Sequence, residues 1–290
     1  MGLQSPPALL ARGVAMSQQV KFAVAITTPI AEAVLAAHKP SPQGAIALTR
    51  AATAVALLST TLKERQQVGL QMNGEGPLGE LYALSTREGA VRVTAHNPRA
   101  SATPEGEVGA VVGEGRFTLI KTLASGAPYR GTVPIFTGTV AEDLAYYFAT
   151  SEQVPTVCAL GERVEGGRVL AAGGYFVQAL PGAPEEVLDV LEARVLALPP
   201  LQDALMSEAP VALILDGLFG GDYEQLERGE CAYACPCERP RFARTLLTLG
   251  REELTRLRDE DEQITLECHF CAAEYSFNRE ELSALISGAK

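Results

Sequence analysis

The chain has 290 residues, 47% of them hydrophobic, and a mean hydropathy of +0.09; this is enough apolar material to bury the cores of two domains and excludes a disordered polymer. Its formal charge of -11 and isoelectric point near 4.9 argue against non-specific binding to nucleic acid or to an anionic membrane, both of which need a concentrated basic surface. The most apolar run, Ala51 to Leu58, is far short of the roughly 20 residues of a membrane helix. Met1 to Ser17 holds Arg12 inside its short apolar stretch, with no long apolar run after it, so we expect no signal peptide, a cytoplasmic location and reduced thiols.

From Val20 to Leu180 short β-like runs alternate with two helices. The strand candidates are Lys21 to Thr27, Val68 to Met72, Gly79 to Leu84, Val91 to Ala95, Phe117 to Leu123, Gly131 to Phe136 and Val169 to Ala179, several with period-two alternation and bounded by Gly or Pro. Ala45 to Arg65 is rich in Ala and Leu and reads as a helix, and Thr139-Val-Ala-Glu142 reads as a capping box opening a second helix through Tyr147 and Phe148. The expected class is α+β, with an N-terminal mixed or mainly antiparallel sheet domain over residues 1–182.

Composition shifts after Pro181-Gly-Ala-Pro184. Val187, Leu188, Leu191, Val195 and Leu198 share one helical face, with Glu185, Glu186, Asp189 and Glu192 mostly opposite, and Pro199-Pro200 stops the helix. A second apolar patch runs from Val211 to Phe219. A passive connector would be more polar, so residues 183–229 are expected to form an amphipathic helical linker packed on the first domain or on a partner.

Residues 230–290 read as a small metal-nucleated domain. Cys235-Pro-Cys237 and Cys268-His-Phe-Cys271, with thirty residues between them, offer four thiolates in two pairs, the donor set of a tetrahedral Zn²⁺ site. One zinc per chain would stabilise a segment too small to build a sufficient core. The first pair is unusual: zinc knuckles space their cysteines C-x₂₋₄-C, whereas C-x-C sulfurs are close enough to join as a strained disulfide. Zinc also keeps thiols deprotonated, and oxidants attack thiolates, so the ligands are candidate redox groups. Arg251 to Glu262 suits a short charged helix, and Asn278-Arg-Glu-Glu281 caps a terminal one through Ile286. The segment holds eight Lys and Arg against twelve Asp and Glu, opposite to a nucleic-acid zinc ribbon.

Other motifs read blandly. Gly74-Glu-Gly-Pro-Leu-Gly79 matches G-x-G-x-x-G, but Pro77 removes a donor and a hairpin follows where a phosphate-binding helix would be needed, so it is a turn. His38 and His96 are isolated, with no H-E-x-x-H or G-x-S-x-G in the chain, and His269 is expected beside the ligands or in solvent. Cys231, four residues before Cys235, and Cys158, in the apolar stretch Val154 to Leu160, are possible extra thiols.

Taken in order, Gly76-Pro77-Leu78 before a hairpin, Pro128-Tyr-Arg-Gly131, Asp143-Leu144 with Tyr147-Phe148, Ser151-Glu152-Gln153, Gly173-Gly174 with Gln178, and C-x-C followed by C-x-x-C resemble the redox-regulated heat shock protein 33 family of bacterial chaperones over nearly the whole length. The resemblance implies a non-enzymatic, ATP-independent holdase, inactive while reduced and zinc-bound. Under peroxide or hypochlorous acid with mild unfolding stress, the matching cysteines would pair as Cys235 with Cys237 and Cys268 with Cys271. Zinc would leave, the C-terminal domain unfold and the linker loosen, exposing apolar surface to unfolding client proteins; Val187, Leu191, Val195 and Leu198 are the residues expected there. It further implies a homodimer when activated and transfer of clients to ATP-dependent foldases. This chain departs from the pattern in Cys231, in Pro236 as the middle residue of C-x-C, and in Cys158. From a different class, a redox-insensitive zinc-stabilised protein-binding module fits the same ligands, whereas a thiol–disulfide oxidoreductase lacks its C-x-x-C at the start of a βαβ helix.

Overall fold

The computed structural model describes residues 2–103, 108–123 and 125–288. The chain divides into two compact units, one formed by Gln4–Tyr233 and the other by Met1–Leu3 together with Ala234–Lys290.

In the larger unit β1 (Ala8–Ala15) and β2 (Val20–Ile26) form a hairpin whose turn holds Met16, Ser17 and Gln18 at positive φ. α1 (Thr28–His38) and α2 (Pro42–Ser59) follow, then β3 (Gln67–Gly74), β4 (Glu80–Thr86) and β5 (Ala90–Ala95). A short α3 (Val108–Val112) precedes β6 (Gly115–Thr122) and β7 (Pro128–Pro134). α4 (Val140–Tyr147) runs into a single π-turn, Phe148–Glu152, before β8 (Thr156–Glu165) and β9 (Arg168–Ala179). The linker supplies α5 (Glu185–Ala197), α6 (Leu201–Leu205) and α7 (Pro210–Phe219), and β10 (Tyr223–Tyr233) closes the unit.

Among the described residues these strands make a ten-stranded sheet in the order β7-β6-β3-β4-β5-β10-β1-β2-β9-β8. Every neighbouring pair is antiparallel except β5 with β10, which run parallel through Ala90↔Ala232 and Val91↔Tyr233. α2 packs on β3, β4 and β5 from one half of the sheet and on β2, β8 and β9 from the other. Contact on both sides explains why this helix is Ala-rich and buried around nearly its whole circumference. The α+β architecture and mainly antiparallel sheet agree with the sequence expectation.

Two local expectations are corrected. The first helix opens three residues earlier than Ala45, with Ser41 accepting from the Gly44 N–H at 3.0 Å. It stops at Ser59 because the hydroxyls of Ser59, Thr60 and Thr61 donate back to the Ala56, Leu57 and Leu58 carbonyls. The second helix forms, but Thr139 makes no side-chain cap. Instead the buried Asp143 carboxylate accepts from the N–H groups of Phe136 at 2.7 Å, Gly138 at 2.8 Å and Thr137 at 3.3 Å, fixing the turn before the helix. The glycine-rich segment is the β3–β4 turn: Gly79 has φ +67°, and a Cβ at Gly74 would lie 2.0 Å from the Val112 carbonyl.

The linker covers the β2–β9 face. Leu191, Ala204, Leu205, Ile214, Leu215, Leu218 and Phe219 bury against Val20, Phe22, Val24, Tyr175 and Val177, and Phe22 meets Phe219 at 5.4 Å between ring centroids. Of the residues expected at a client surface, Leu191 is buried, and Val187, Val195 and Leu198 are half-buried on the same cluster.

In the smaller unit α8 (Arg239–Leu247) and α9 (Gly250–Glu260) precede a hairpin of β11 (Gln263–Glu267) and β12 (Glu274–Asn278), and α10 (Arg279–Gly288) ends it. The capping box forms: Asn278 Oδ1 accepts from the Glu281 N–H and Glu281 Oε2 from the Asn278 N–H, each at 3.0 Å. Leu246, Leu254, Tyr275, Phe277, Leu282 and Ile286 are its buried apolar residues.

Candidate metal centre

Cys268 and Cys271 lie in the β11–β12 turn. The Cys268 N–H donates to the Ala273 carbonyl at 2.9 Å, and the Cys271 and Ala272 N–H groups donate to the Cys268 carbonyl at 3.2 and 2.8 Å. Closing so tight a loop puts Ala272 at φ +53°, a region glycine occupies more easily. Cys235 and Cys237 lie on the extended segment before α8, with Pro236 holding the residue between them at a fixed φ.

The four sulfurs all lie within 4.8 Å of one another, and all four residues are buried. Cys235 Sγ is 3.7 Å from Cys268 Sγ, and Cys237 Sγ is 3.3 Å from Cys271 Sγ. Zinc at about 2.3 Å from each of four sulfurs would give tetrahedral edges of about 3.8 Å. The observed spacing fits that cage, and an all-thiol donor set suits a soft-accepting ion such as Zn²⁺. The cross-knuckle contact also separates the thiols: the Cys235 hydrogen bond lowers Cys268 well below the usual thiol value, and the same bond raises Cys235. Burial pushes the Cys271 thiol up, opposed by backbone hydrogen bonds from Leu3 and Ala273.

The other candidates fall elsewhere. The cluster does not include His269, which is exposed, nor Cys231, which is buried on β10 opposite Ala8. Cys158 is on β8 opposite Phe176. His38 Nε2 contacts the Val93 carbonyl at 3.1 Å, and His96 is exposed.

Sequence reading missed Tyr275. Its hydroxyl donates to the Cys237 carbonyl at 3.0 Å and to Cys237 Sγ at 3.2 Å, while its ring stacks on Phe242 at 4.5 Å. The hydrogen bond to Cys237 holds the phenol above its ordinary pKa, so the hydroxyl remains a donor. An aromatic residue shortly after a cysteine knuckle was the available signal, and only the fold turns its hydroxyl onto a sulfur.

Comparison with known proteins follows the same geometry. The family model described as Hsp33 protein matches residues 9–278. The 33 kDa chaperonin of Syntrophotalea carbinolica is 37% identical over 92% of this chain and 95% of its own length, and that of Acetivibrio thermocellus is 34% identical over 96% of each. In structure, the 33 kDa chaperonin (heat shock protein 33 homolog) of Thermotoga maritima superposes with a TM-score of 0.89 at 30% identity, covering 97% of this chain and 98% of that one. Sequence and fold agree over nearly the whole length, and the chain therefore belongs to the Hsp33 family of chaperones.

Proposed function

We propose that this chain is a redox-regulated, ATP-independent holdase of the cytoplasm, with no catalytic activity, that captures unfolding proteins under oxidative and heat stress. The observation that carries the reading is the gathering of four buried cysteine sulfurs within 4.8 Å in a unit of its own. Bound zinc would supply the positive centre that keeps these sulfurs as thiolates and ties the two knuckles together. Each disulfide forms as two thiols give two electrons and two protons to one peroxide, released as two waters. The proposed pairs are Cys235 with Cys237 and Cys268 with Cys271. Disulfides are poor zinc donors, so pairing removes the ligand set and with it the stability of Ala234–Lys290.

The linker is the element that would respond. Its helices bury an apolar stripe on the β2–β9 face but leave a cavity of about 260 Å³ beneath them, lined by Tyr175, Val195, Leu198, Leu201 and Ile214. Such incomplete packing suits a segment that opens at low cost. Once loosened, Val187, Leu191, Val195 and Leu198 would face clients, the activated chain would pair as a homodimer, and bound clients would pass to ATP-dependent foldases.

Zinc release and suppression of a thermally aggregating client, measured before and after peroxide at elevated temperature, test the reading. The expected result is metal loss and a gain of client protection together, with peptide mapping locating the disulfides. Retained zinc after oxidation, or protection that ignores redox state, would overturn the switch and leave a zinc-stabilised binding module.

A further inference from the structure

Lys21 stands on β2 opposite Gln178 of β9, half-buried, and among the described residues its ammonium makes neither an ion pair nor a hydrogen bond. It lines a cavity of about 520 Å³. Lys121 of β6 lines the same cavity, with its ammonium 3.5 Å from the Glu152 carboxylate and 5.8 Å from the centroid of the Phe148 ring. Burial lowers the Lys21 pKa, the neighbouring Lys121 adds to that shift, and Glu152 opposes it. Two ammoniums thus share one carboxylate. The wall that carries Glu152 also has an uncommon backbone: the π-turn Phe148–Glu152 closes as the Val154 N–H donates to the Phe148 carbonyl at 3.0 Å, and Gln153 is left at φ +55°. Single π-turns and non-glycine residues held in the left-handed region cluster at functional sites.

We propose that this cavity is a binding site for a small amphiphilic carboxylate, with Lys21 and Lys121 holding its head and apolar walls enclosing its body. The charges set the head. Two ammoniums against one carboxylate leave a single positive charge, which suits a monoanion, whereas a phosphate dianion would be repelled by Glu152. Burial has already stripped water from Lys21, so an incoming carboxylate meets a cation short of partners and forms charge-assisted hydrogen bonds with it. The walls set the body: Phe148, Val154, Pro155, Leu180 and Leu188 are apolar, and the volume lies within the ordinary range of small-molecule sites. Gln178 is fixed beside Lys21 by donating to the Thr156 hydroxyl at 3.0 Å, so this part of the lining is formed in advance. Pro181, Gly182, Ala183 and Leu188 complete it, which puts the ligand against both the sheet and the root of α5. A ligand that touches both favours the docked linker by mass action. The site lies wholly within Gln4–Tyr233 and is independent of the metal reading.

The test is titration calorimetry of the full chain under reducing conditions with octanoate, 1-octanol and inorganic phosphate as probes. Octanoate should bind saturably, phosphate should not compete with it, and octanol, which has the body without the charge, should bind at least about tenfold more weakly. Lys21→Met keeps the apolar stem and removes the ammonium, and should weaken octanoate binding about ten- to hundredfold, the usual cost of losing a hydrogen bond to a charged group. Lys21→Arg keeps the charge and should restore most of the affinity. The comparison of octanoate with octanol needs no variant, and neither does a second readout: octanoate should slow amide exchange over residues 148–155 and 181–188. No saturable octanoate binding, octanol binding as tightly, affinity that Lys21→Met leaves unchanged, or protection confined to other segments would each overturn the site.

Discussion

Burial pushes the Cys158 and Cys231 thiols from 9.0 up to about 12, which sets them apart from the four clustered cysteines. Cys158 is half-buried as a residue, but its sulfur is desolvated by the β8–β9 packing. Both thiols stay protonated at neutral pH and are poor nucleophiles, so brief iodoacetamide treatment of the folded chain at about pH 8 should leave them unmodified while denatured chain is labelled; mass spectrometry reads the difference. The sign of the linkage follows from the raised folded values. The stability gained by enclosing neutral thiols is fully present below about pH 9 and is lost as pH rises towards 12, so Cys231→Ala should flatten the fall in denaturation midpoint across that window. Tyr275 makes a different kind of contribution, through its bond to Cys237 Sγ. Tyr275→Phe keeps the ring on Phe242 but removes the donor, and competition with a chelator should show zinc bound about tenfold more weakly.

At the scale of elements, α5 shows how one helix can be both cover and reservoir. Leu191 is buried under it and Leu196, five residues on, is 79% exposed. Glu185 and Glu186 in the first turn and Arg194 in the last suit the helix dipole, and the Arg194 guanidinium also donates to the Leu218 carbonyl at 3.2 Å, pinning α5 to α7. α7 approaches the end of α5 so closely that a Cβ on Gly217 would meet a Leu198 methyl at 2.4 Å. Truncating the buried anchor costs about 2–5 kcal/mol by lost transfer energy and cavity formation. Leu191→Ala should therefore speed amide exchange across residues 185–219 and give client protection without oxidant, whereas Leu196→Ala should change neither. β10 is the counterpart that sequence patterning hides. Its Glu224, Glu227, Arg228 and Glu230 resemble a polar boundary, yet Arg12 of β1 and Arg87 beyond β4 both pair with Glu227 and place it inside the sheet.

Across the whole molecule, the two compact units differ in what stabilises them. Among the described residues, Gln4–Tyr233 rests on a ten-stranded sheet and the largely buried α2, while Ala234–Lys290 has a two-stranded hairpin, three short helices and the cysteine cage. A unit of that size would gain much of its folding free energy from a bound metal. Treating the full chain with a strong zinc chelator under reducing conditions should melt residues 234–288 and leave the sheet protected, as read by hydrogen exchange. Loss of protection throughout would mean that the larger unit does not stand on its own core.

The α+β class and most of the central strands were legible because each carries its own signal: alternation in β4 and β5, a continuous apolar run in β9, a reciprocal cap at Asn278 and Glu281. The cysteine spacing likewise pointed to four residues that the fold gathers into a cluster able to hold a metal, since ligand type and pairing are local properties. β1 and β10 were hidden because β1 does not alternate strictly and charge obscures β10, which bulges at Leu226 opposite Arg12 and Gly13 and is held by strands distant in sequence. The hydrogen bonds around the sulfurs were hidden for the same reason. Tyr275 reaches Cys237 through folding alone, and no periodicity announces a hydroxyl aimed at a sulfur. Sequence by itself determined which four residues can share an ion, because that is set by side-chain chemistry; tertiary structure decided what surrounds them and which face of the linker is covered, because desolvation and hydrogen bonding depend on neighbours that only the folded chain brings near.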